Sequence, residues 1–442
     1  MNLRELYLRK KFWLNDFMHG GLMWKAFKEI CYINNNAIEE GKLLRDKRLR
    51  EILSFAKSHT AFYSRVKGDS LSDFPVINKQ MILANREDFL VPENEIPGQV
   101  GKLHVQSTSG SSGIPFSLPQ DTLCRIRRVA MIKYGNELIG FHSFARMMHL
   151  RSFKHYWGGA KKGTEFNKKL NIIYADNSDL TLSKIQDLCN IINRDKVKFV
   201  RGYMTTLESI AQFALDHNIS FPLHPTFISV GEMLSERLRQ NIIKLQCSII
   251  SQYGNEENGI FGQTELNGEG STMRLNLANC YMEILKFDKD EPVEKGELGR
   301  IVVTDLTNYA MPMIRYDIGD VATIGEVKNG VMLSIEKLSG RKTDMISRTD
   351  GSLFDLYNSL PADINNSDKI KQYQFIQKGR KTYLMKLNVA SDEVKEQTHH
   401  FTDLLKEVLG QDAEIIIEYV DEIPVLSSGK RKVVINEWKD NK

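Results

Sequence analysis

Residues 197–231 read VKFVRGYMTTLESIAQFALDHNISFPLHPTFISVG. Two short runs rich in β-branched and aromatic residues, "VKFVRGY" and "TFISVG", bracket "TTLESIAQFALDHN", whose apolar residues recur at helical spacing. Strand, helix, strand in succession is the unit of an α/β sheet. The same alternation spreads outward on both sides. "ARMMHLRSF" and "LNIIYA" precede the stretch, and "SERLRQNIIKLQ", "CSIISQYG", "CYMEILKF" and "GRIVVTDL" follow it. The region from about residue 100 to 330 is therefore expected to be an α/β domain.

The ends of the chain have a different texture. Residues 1–70 are expected to form a helical lead-in, because "RLREILSFAKSHTAFYSRV" carries helically spaced apolar residues with few breakers. In "DFPVINKQMI", Pro75 disfavours helix at the residue before it and marks a turn. After "KLSGRKTDMI" come two strand-like runs, a helix pattern "EVKEQTHHFTDLLKEVLG" and a final strand "AEIIIEYVDEIP". That pattern predicts a compact α+β unit over 341–442, with residues 1–340 as the large N-terminal domain.

The whole-chain numbers bound the function. At 442 residues the chain is long enough for more than one core. Its 60 basic and 56 acidic residues leave a net charge of +4, without the concentrated basic stripe of a nucleic-acid protein. Mean hydropathy is −0.34, and no apolar run approaches the roughly 18 residues that a membrane span needs. The first residues, "MNLRELYLRKKFW", lack the apolar core of a secretory signal. Lys and Arg mixed there with Leu, Phe and Trp leave two readings open: a packed amphipathic helix, which is preferred, and a helix in peripheral contact with a membrane surface. The five scattered cysteines, with no Cys-x-x-Cys pair, point to buried thiols in a reducing, cytoplasmic setting and argue against zinc.

Five short stretches carry candidate chemistry. "STSGSSGIP" (Ser107–Pro115) is either a surface loop or a phosphate cradle, since glycine admits a close anion and hydroxyls donate to it. "SVGEML" (Ser229–Leu234) and "SQYGNEENG" (Ser251–Gly259) lie at strand ends, where α/β sheets dock ligands, or are ordinary strand-to-helix turns. "RYDIGDVA" places Asp320 after a glycine, suited to paired sugar hydroxyls or to a simple turn. "SGRKTDMI" offers Arg341 and Asp344, and "PVLSSGKRKVV" sets Lys430 on a Ser/Gly turn.

In this order the five resemble the signatures of the adenylate-forming (acyl-activating) enzyme superfamily. Ser109-Gly110-Ser111-Ser112-Gly113-Ile114-Pro115 is similar to its phosphate loop, and Tyr253-Gly254-Asn255-Glu256-Glu257 to its Tyr-Gly-x-Thr-Glu motif, with Glu256 at the threonine position. Tyr316, Gly319 and Asp320 meet Tyr-x-x-Gly-Asp; Gly340-Arg341 matches the hinge motif and Gly429-Lys430 the late Gly-Lys. "FPVINKQMI", "RGYMTTLESIA" and "PMIRYDIGD" are similar to the phenylacetate–coenzyme A ligase branch, especially its relatives from capsule and O-antigen gene clusters. The matches run from about residue 74 to 434. Ser112 keeps the hydroxyl of the usual threonine, whereas Phe116 stands where many members carry a lysine.

The resemblance implies an enzyme, an AMP-forming acid ligase, with a large α/β domain of mixed sheets and a small mobile α+β lid. ATP would be held by Ser109, Gly110, Ser111, Ser112, Gly113, Gly231, Glu232, Tyr253, Gly254, Asp320 and Arg341. Glu257 would ligate Mg²⁺, Asp344 would be the hinge, and Lys430 would be the catalytic lysine. His155, Tyr156 and Trp157 in "SFKHYWGGAKKG" are candidates for the acyl pocket, or belong to a surface loop. The partners implied are a small carboxylic acid and an acyl acceptor, coenzyme A first; no nucleic acid is expected. Two other outcomes stay open: acylation of a sugar amine or similar group in surface polysaccharide biosynthesis, and a non-catalytic adenylate-binding protein. The sequence does not fix the oligomeric state; family habit implies a homodimer.

Overall fold

The computed structural model describes residues 2–108, 116–153, 163–178, 180–365, 369–424, 426 and 431–438. Three helices, Leu3–Met18, Leu22–Asn35 and Glu40–His59, form the lead-in. The first opens on a capping box: the Asn2 side chain accepts the Arg4 N–H, and the Asn2 N–H reaches the Glu5 carboxylate. Ala26, Ile30, Ile33, Leu53 and Ala56 share one core with Met311, Met313, Ile314 and Tyr316, so the lead-in packs on the strand that begins with the Tyr-x-x-Gly-Asp signature. Tyr63 is fully buried, and its hydroxyl accepts the Ile314 N–H at 3.1 Å while reaching the Ile314 carbonyl at 3.4 Å. Farther along, Ile77 pairs with Tyr316 as an isolated bridge, and the Arg315 guanidinium donates to the Phe74 carbonyl at 3.1 Å.

Twelve of the described strands form one mixed sheet. Ile172–Asp176, Met147–Arg151, Phe199–Gly202, Thr226–Val230 and Ser248–Asn255 lie side by side and parallel. Their apolar runs are continuous rather than alternating because helices cover this half, and Phe227, Ile228, Ile249 and Ile250 are fully buried. Helices Leu182–Arg194, Met204–Asp216 and Glu236–Lys244 supply Leu188, Leu207, Ile210, Leu238 and Ile242 to that core. Thr181 and Ser235 cap the first and third of these helices by accepting the N–H of Lys184 and Leu238.

Beyond Ser248–Asn255 the sheet turns antiparallel, through Gly259–Gln263, Met273–Leu275, Ser334–Arg341, Tyr316–Ile324, Leu298–Asp305 and Cys280–Leu285. "SQYGNEENG" is thus not the ordinary strand-to-helix turn weighed as one of its two readings; it is a hairpin, with Asn255 paired to Gly259.

A second sheet runs in the order Glu414–Tyr419, Thr382–Val389, Ile370–Gln377, Val434–Asn436, with helix Thr398–Leu409 packed on it. Phe375, Tyr383, Met385, Phe401 and Leu405 form a core of their own, which Ile346 and Phe354 join. The large sheet's last strand ends at Arg341, so the chain passes between cores within a few residues. The architecture is the mixed α/β fold with a small α+β unit expected from the sequence.

All five cysteines are free thiols and four are buried; burial pushes Cys124 and Cys247 up to about 12. No helix among the described residues is long and apolar enough to cross a membrane.

Candidate functional site

The parallel and antiparallel halves of the large sheet meet at strand Ser248–Asn255, and the signature residues gather beside that seam. Asp320 and Arg341 are cross-strand partners. The Arg341 Nε lies 3.0 Å from Asp320 Oδ1, and the Tyr253 hydroxyl donates to Oδ2 at 2.8 Å. Arg341 Nη1 also donates to the Ile318 carbonyl at 2.9 Å, which fixes the guanidinium in its fork geometry. The ladder shifts register between Asp320 and Ala322, a bulge that re-aims the carboxylate. Gly319, at φ +78°, takes the left-handed conformation just before it. Burial and the neighbouring Asp320 charge push the Tyr253 hydroxyl well above its ordinary pKa, so it stays protonated and donating. Each carboxylate oxygen has two lone pairs, and a carboxylate held in this way can accept from vicinal hydroxyls of a sugar.

Gly254 is required by space. A Cβ there would sit 2.2 Å from the Gly259 carbonyl oxygen, so the tight hairpin excludes any side chain. Its turn presents Glu256 and Glu257, whose carbonyls both accept from the Arg128 guanidinium. Arg128 belongs to helix Thr122–Glu137 and also contacts the buried Asp305 carboxylate at 3.3 Å, so the turn is braced from behind. Burial pushes the Glu257 carboxyl above the usual carboxylate range, against the opposing charges of Arg341 and Lys79. A carboxylate that is largely buried and only partly balanced by cations could hold a divalent cation such as Mg²⁺. Among the described residues no group of three or more acidic, His or Cys side chains could hold a metal ion. The Glu256 side chain accepts from Gln106 Nε2 at 2.8 Å, and Gln106 lies on strand His104–Thr108. That strand pairs in full register with Phe116–Gln120, so the strands flanking residues 109–115 are tied to the Tyr-Gly turn through Glu256.

Gly231 and Glu232 follow strand Thr226–Val230. The Glu232 carboxylate accepts from the Thr205 N–H at 2.9 Å and its hydroxyl at 3.0 Å, in the first turn of helix Met204–Asp216. The N-cap residue Tyr203 makes no side-chain cap, and the carboxylate satisfies a helix-end donor in its place. The same carboxylate accepts the Arg431 N–H at 2.9 Å. Glu232, expected to frame a base, therefore points its side chain at a helix end and at the small unit. Close by, Arg237 pairs with Glu208 and donates to the Lys371 carbonyl at 3.0 Å. Asp344 lies 3.5 Å from the Lys432 ammonium, and Arg431 Nε donates to the Ile423 carbonyl at 3.0 Å.

The structure thus brings together Tyr253, Gly254, Glu257, Asp320 and Arg341, and connects Glu232 to the residue after Lys430. Ser109, Gly110, Ser111, Ser112, Gly113, His155, Tyr156, Trp157 and Lys430 lie outside the described residues. Sequence reasoning missed Lys79, Gln106, Arg128, Thr205 and Arg431. Lys79 and Thr205 fall in stretches already compared with the phenylacetate branch; Gln106 and Arg128 carry no signal in one sequence.

The chain is similar to known proteins over most of its length. The model of the CapK C-terminal domain family matches residues 355–437. Protein CapK of Staphylococcus aureus is 24% identical over 420 residues, covering 90% of this chain and 89% of its own. The phenylacetate-coenzyme A ligase of Escherichia coli is 24% identical over 192 residues, 39% of this chain and 43% of that one. Among solved structures, a 2-hydroxyisobutyryl-CoA ligase in the postadenylation state, bound to R3-HIB-AMP, superposes with a TM-score of 0.66 at 17% identity, covering 88% of each chain. The same ligase in the thioesterification state gives 0.51 at 18% identity, covering 88% and 89%. The fold is that of adenylate-forming ligases, and in sequence the chain is similar to Protein CapK and to phenylacetate-coenzyme A ligases.

Proposed function

We propose that the protein activates a carboxylic acid with ATP, forming an acyl-adenylate and pyrophosphate, and then transfers the acyl group to coenzyme A. The observation that carries this reading is the hydrogen bond from the Arg431 N–H to Glu232. Arg431 directly follows the late Gly-Lys in sequence, and its N–H meets the large domain at Glu232, itself one of the candidate nucleotide-binding residues. The better superposition on the postadenylation state than on the thioesterification state supports the adenylate-forming half of this reading. We take residues 341–442 as a lid and Asp344 as its hinge, because the chain leaves the large core there.

In the first half-reaction a substrate carboxylate oxygen attacks the α-phosphorus of ATP. The new P–O bond forms as the bond to the bridging oxygen breaks, and pyrophosphate leaves with the electron pair. Negative charge spreads over the transferring phosphoryl group, so catalysis is positioning and electrostatics. Asp320, oriented by Tyr253 and Arg341, accepts the ribose hydroxyls. Residues 109–113 hold the outer phosphates, and Gly231 borders the base. Glu257 would hold Mg²⁺, which screens phosphate charge when bound. Lys430, a compact point charge, bridges substrate carboxylate and α-phosphate. In the second half-reaction the acceptor thiolate attacks the acyl carbon and AMP departs; withdrawal of the lysine with the lid clears that face.

The test is pyrophosphate release with ATP, Mg²⁺ and a panel of acids, repeated in Lys430→Ala. Acid-dependent release that Lys430→Ala abolishes, with ATP binding kept, is the expected result. Unchanged release in that variant overturns the assignment of the lysine. Supplying coenzyme A or amino sugars afterwards identifies the acceptor: discharge by an amine alone replaces the thioester with an amide-forming reaction.

A further inference from the structure

The first helix packs only part of its apolar surface: Phe12 meets Phe144 at 5.6 Å and Trp13 meets Phe27 at 5.8 Å between ring centres, while a second apolar stripe faces outward. Its inward side carries Glu5, which is buried and paired with Lys198 at 2.8 Å, and Asp16, which accepts the N–H groups of Met23 and Trp24. Its outward side carries Leu3, Tyr7, Leu14, Phe17 and Met18, and three of these, Leu3, Phe17 and Met18, are 87%, 78% and 65% exposed. Successive residues of an α-helix turn by about 100°, which places all five on one face with Lys10 and Lys11 among them. Leu22 and Trp24 extend the apolar surface onto the second helix, with the Lys28 ammonium 5.5 Å from the Trp24 ring centre. Exposed apolar side chains scattered singly are ordinary; a contiguous face of them marks a contact.

The charge on this face selects the occupant. Glu5 and Asp16 are the two acidic residues between Asn2 and Lys28, and both are engaged on the inner side. Every charge displayed outward is therefore positive. A second copy docked about a two-fold axis would set Lys10 and Lys11 against the same lysines, with no carboxylate to pair them. An anionic bilayer supplies both things the face lacks: an apolar layer for Leu14, Phe17 and Met18, and negative headgroups for the lysines. We infer that helix Leu3–Met18 lies flat in the interface of an anionic membrane and holds the domain at its surface. The polar anchors that fasten the helix inward leave its apolar side available for this.

The experiment is flotation of the full chain with phosphatidylcholine vesicles, with and without phosphatidylglycerol. With Trp157 and Trp438 replaced by Phe, Trp fluorescence reports on Trp13 and Trp24. The wild type is expected to float with the anionic vesicles, to float about tenfold less with neutral ones, and to be released by high salt. Leu14→Ser/Phe17→Ser/Met18→Ser should abolish flotation while leaving the melting temperature and the solution mass unchanged. Lys10→Glu/Lys11→Glu changes only exposed charges, and should lose the anionic preference even if the triple variant folds poorly. Wild type that stays with the soluble fraction, lysine variants that float like the wild type, or a dimer that the triple variant converts to monomer would each overturn the inference.

Discussion

Glu232 accepts the Arg431 N–H at 2.9 Å although 199 positions separate the two residues, and the same carboxylate holds Thr205 in the first turn of a helix. One side chain therefore fastens a helix start and the segment beside Lys430 at once. Hydrogen bonds to a charged group contribute about 1.5–3 kcal/mol, so Glu232→Ala should lower acid-dependent ATP–pyrophosphate exchange roughly 10–100-fold. Amide hydrogen exchange over 431–434 checks the structural half without any substrate. Faster exchange in the variant is expected; unchanged protection would show that the contact does not hold the segment. Glu232→Gln keeps an acceptor without the charge and should fall between.

Tyr253→Phe removes a side-chain donor to Asp320 and keeps the ring. Nucleotide affinity should fall about tenfold, because the carboxylate loses a fixing hydrogen bond. Titration calorimetry with a non-hydrolysable ATP analogue reads this directly. Arg341→Lys should do more harm, since one ammonium cannot serve both Asp320 and the Ile318 carbonyl.

Glu257 titrates above the ordinary carboxylate range because it is buried. The ionised form, the one a cation needs, is lost as pH falls through that raised value. Mg²⁺-dependent ATP binding should therefore weaken on acidification while ordinary carboxylates, with values near about 4, are still charged. Measuring Mg·ATP affinity across mildly acidic to neutral pH in the wild type and in Glu257→Gln tests this. The variant should bind more weakly at neutral pH with a flat profile; parallel profiles would remove Glu257 from the metal site.

For Glu5, burial raises the carboxyl, but the hydrogen bonds from Lys198 and the Asn2 N–H, with the Lys198 charge, leave it lowered overall. A lowered folded-state value stabilises above the unfolded carboxylate pKa of about 4.3, and the contribution disappears as pH falls through the folded value. Glu5→Gln should cost about 1 kcal/mol at neutral pH, an amount that allows for solvent screening at the partly exposed Lys198. Thermal melts at pH 7 should separate the proteins by a few degrees, and the gap should close in strong acid.

The signatures were readable because chemistry and space leave few choices of residue: Gly254 admits no side chain, and Asp320 and Arg341 face each other on paired strands. The parallel strands announced themselves through unbroken apolar runs. The hairpin at Asn255 did not, since "NEEN" suits a reverse turn and a helix start equally. Long-range choices left no local trace either: Gln106 finds Glu256 across 150 positions, and nothing near either residue encodes the pairing. Composition left open whether the first helix packs or meets a membrane surface, and it could not say that Glu5 and Asp16 would lie on the inward side with Phe12.

The Tyr63 hydroxyl grips both backbone groups of Ile314, immediately before the strand that carries Asp320. The opening helices are thus no detachable preface. A chimera spliced between Tyr63 and Ile77 would strip a phenol from the wall of the large sheet and strand a dry amide there, so recombination that preserves the fold must inherit both segments from one parent.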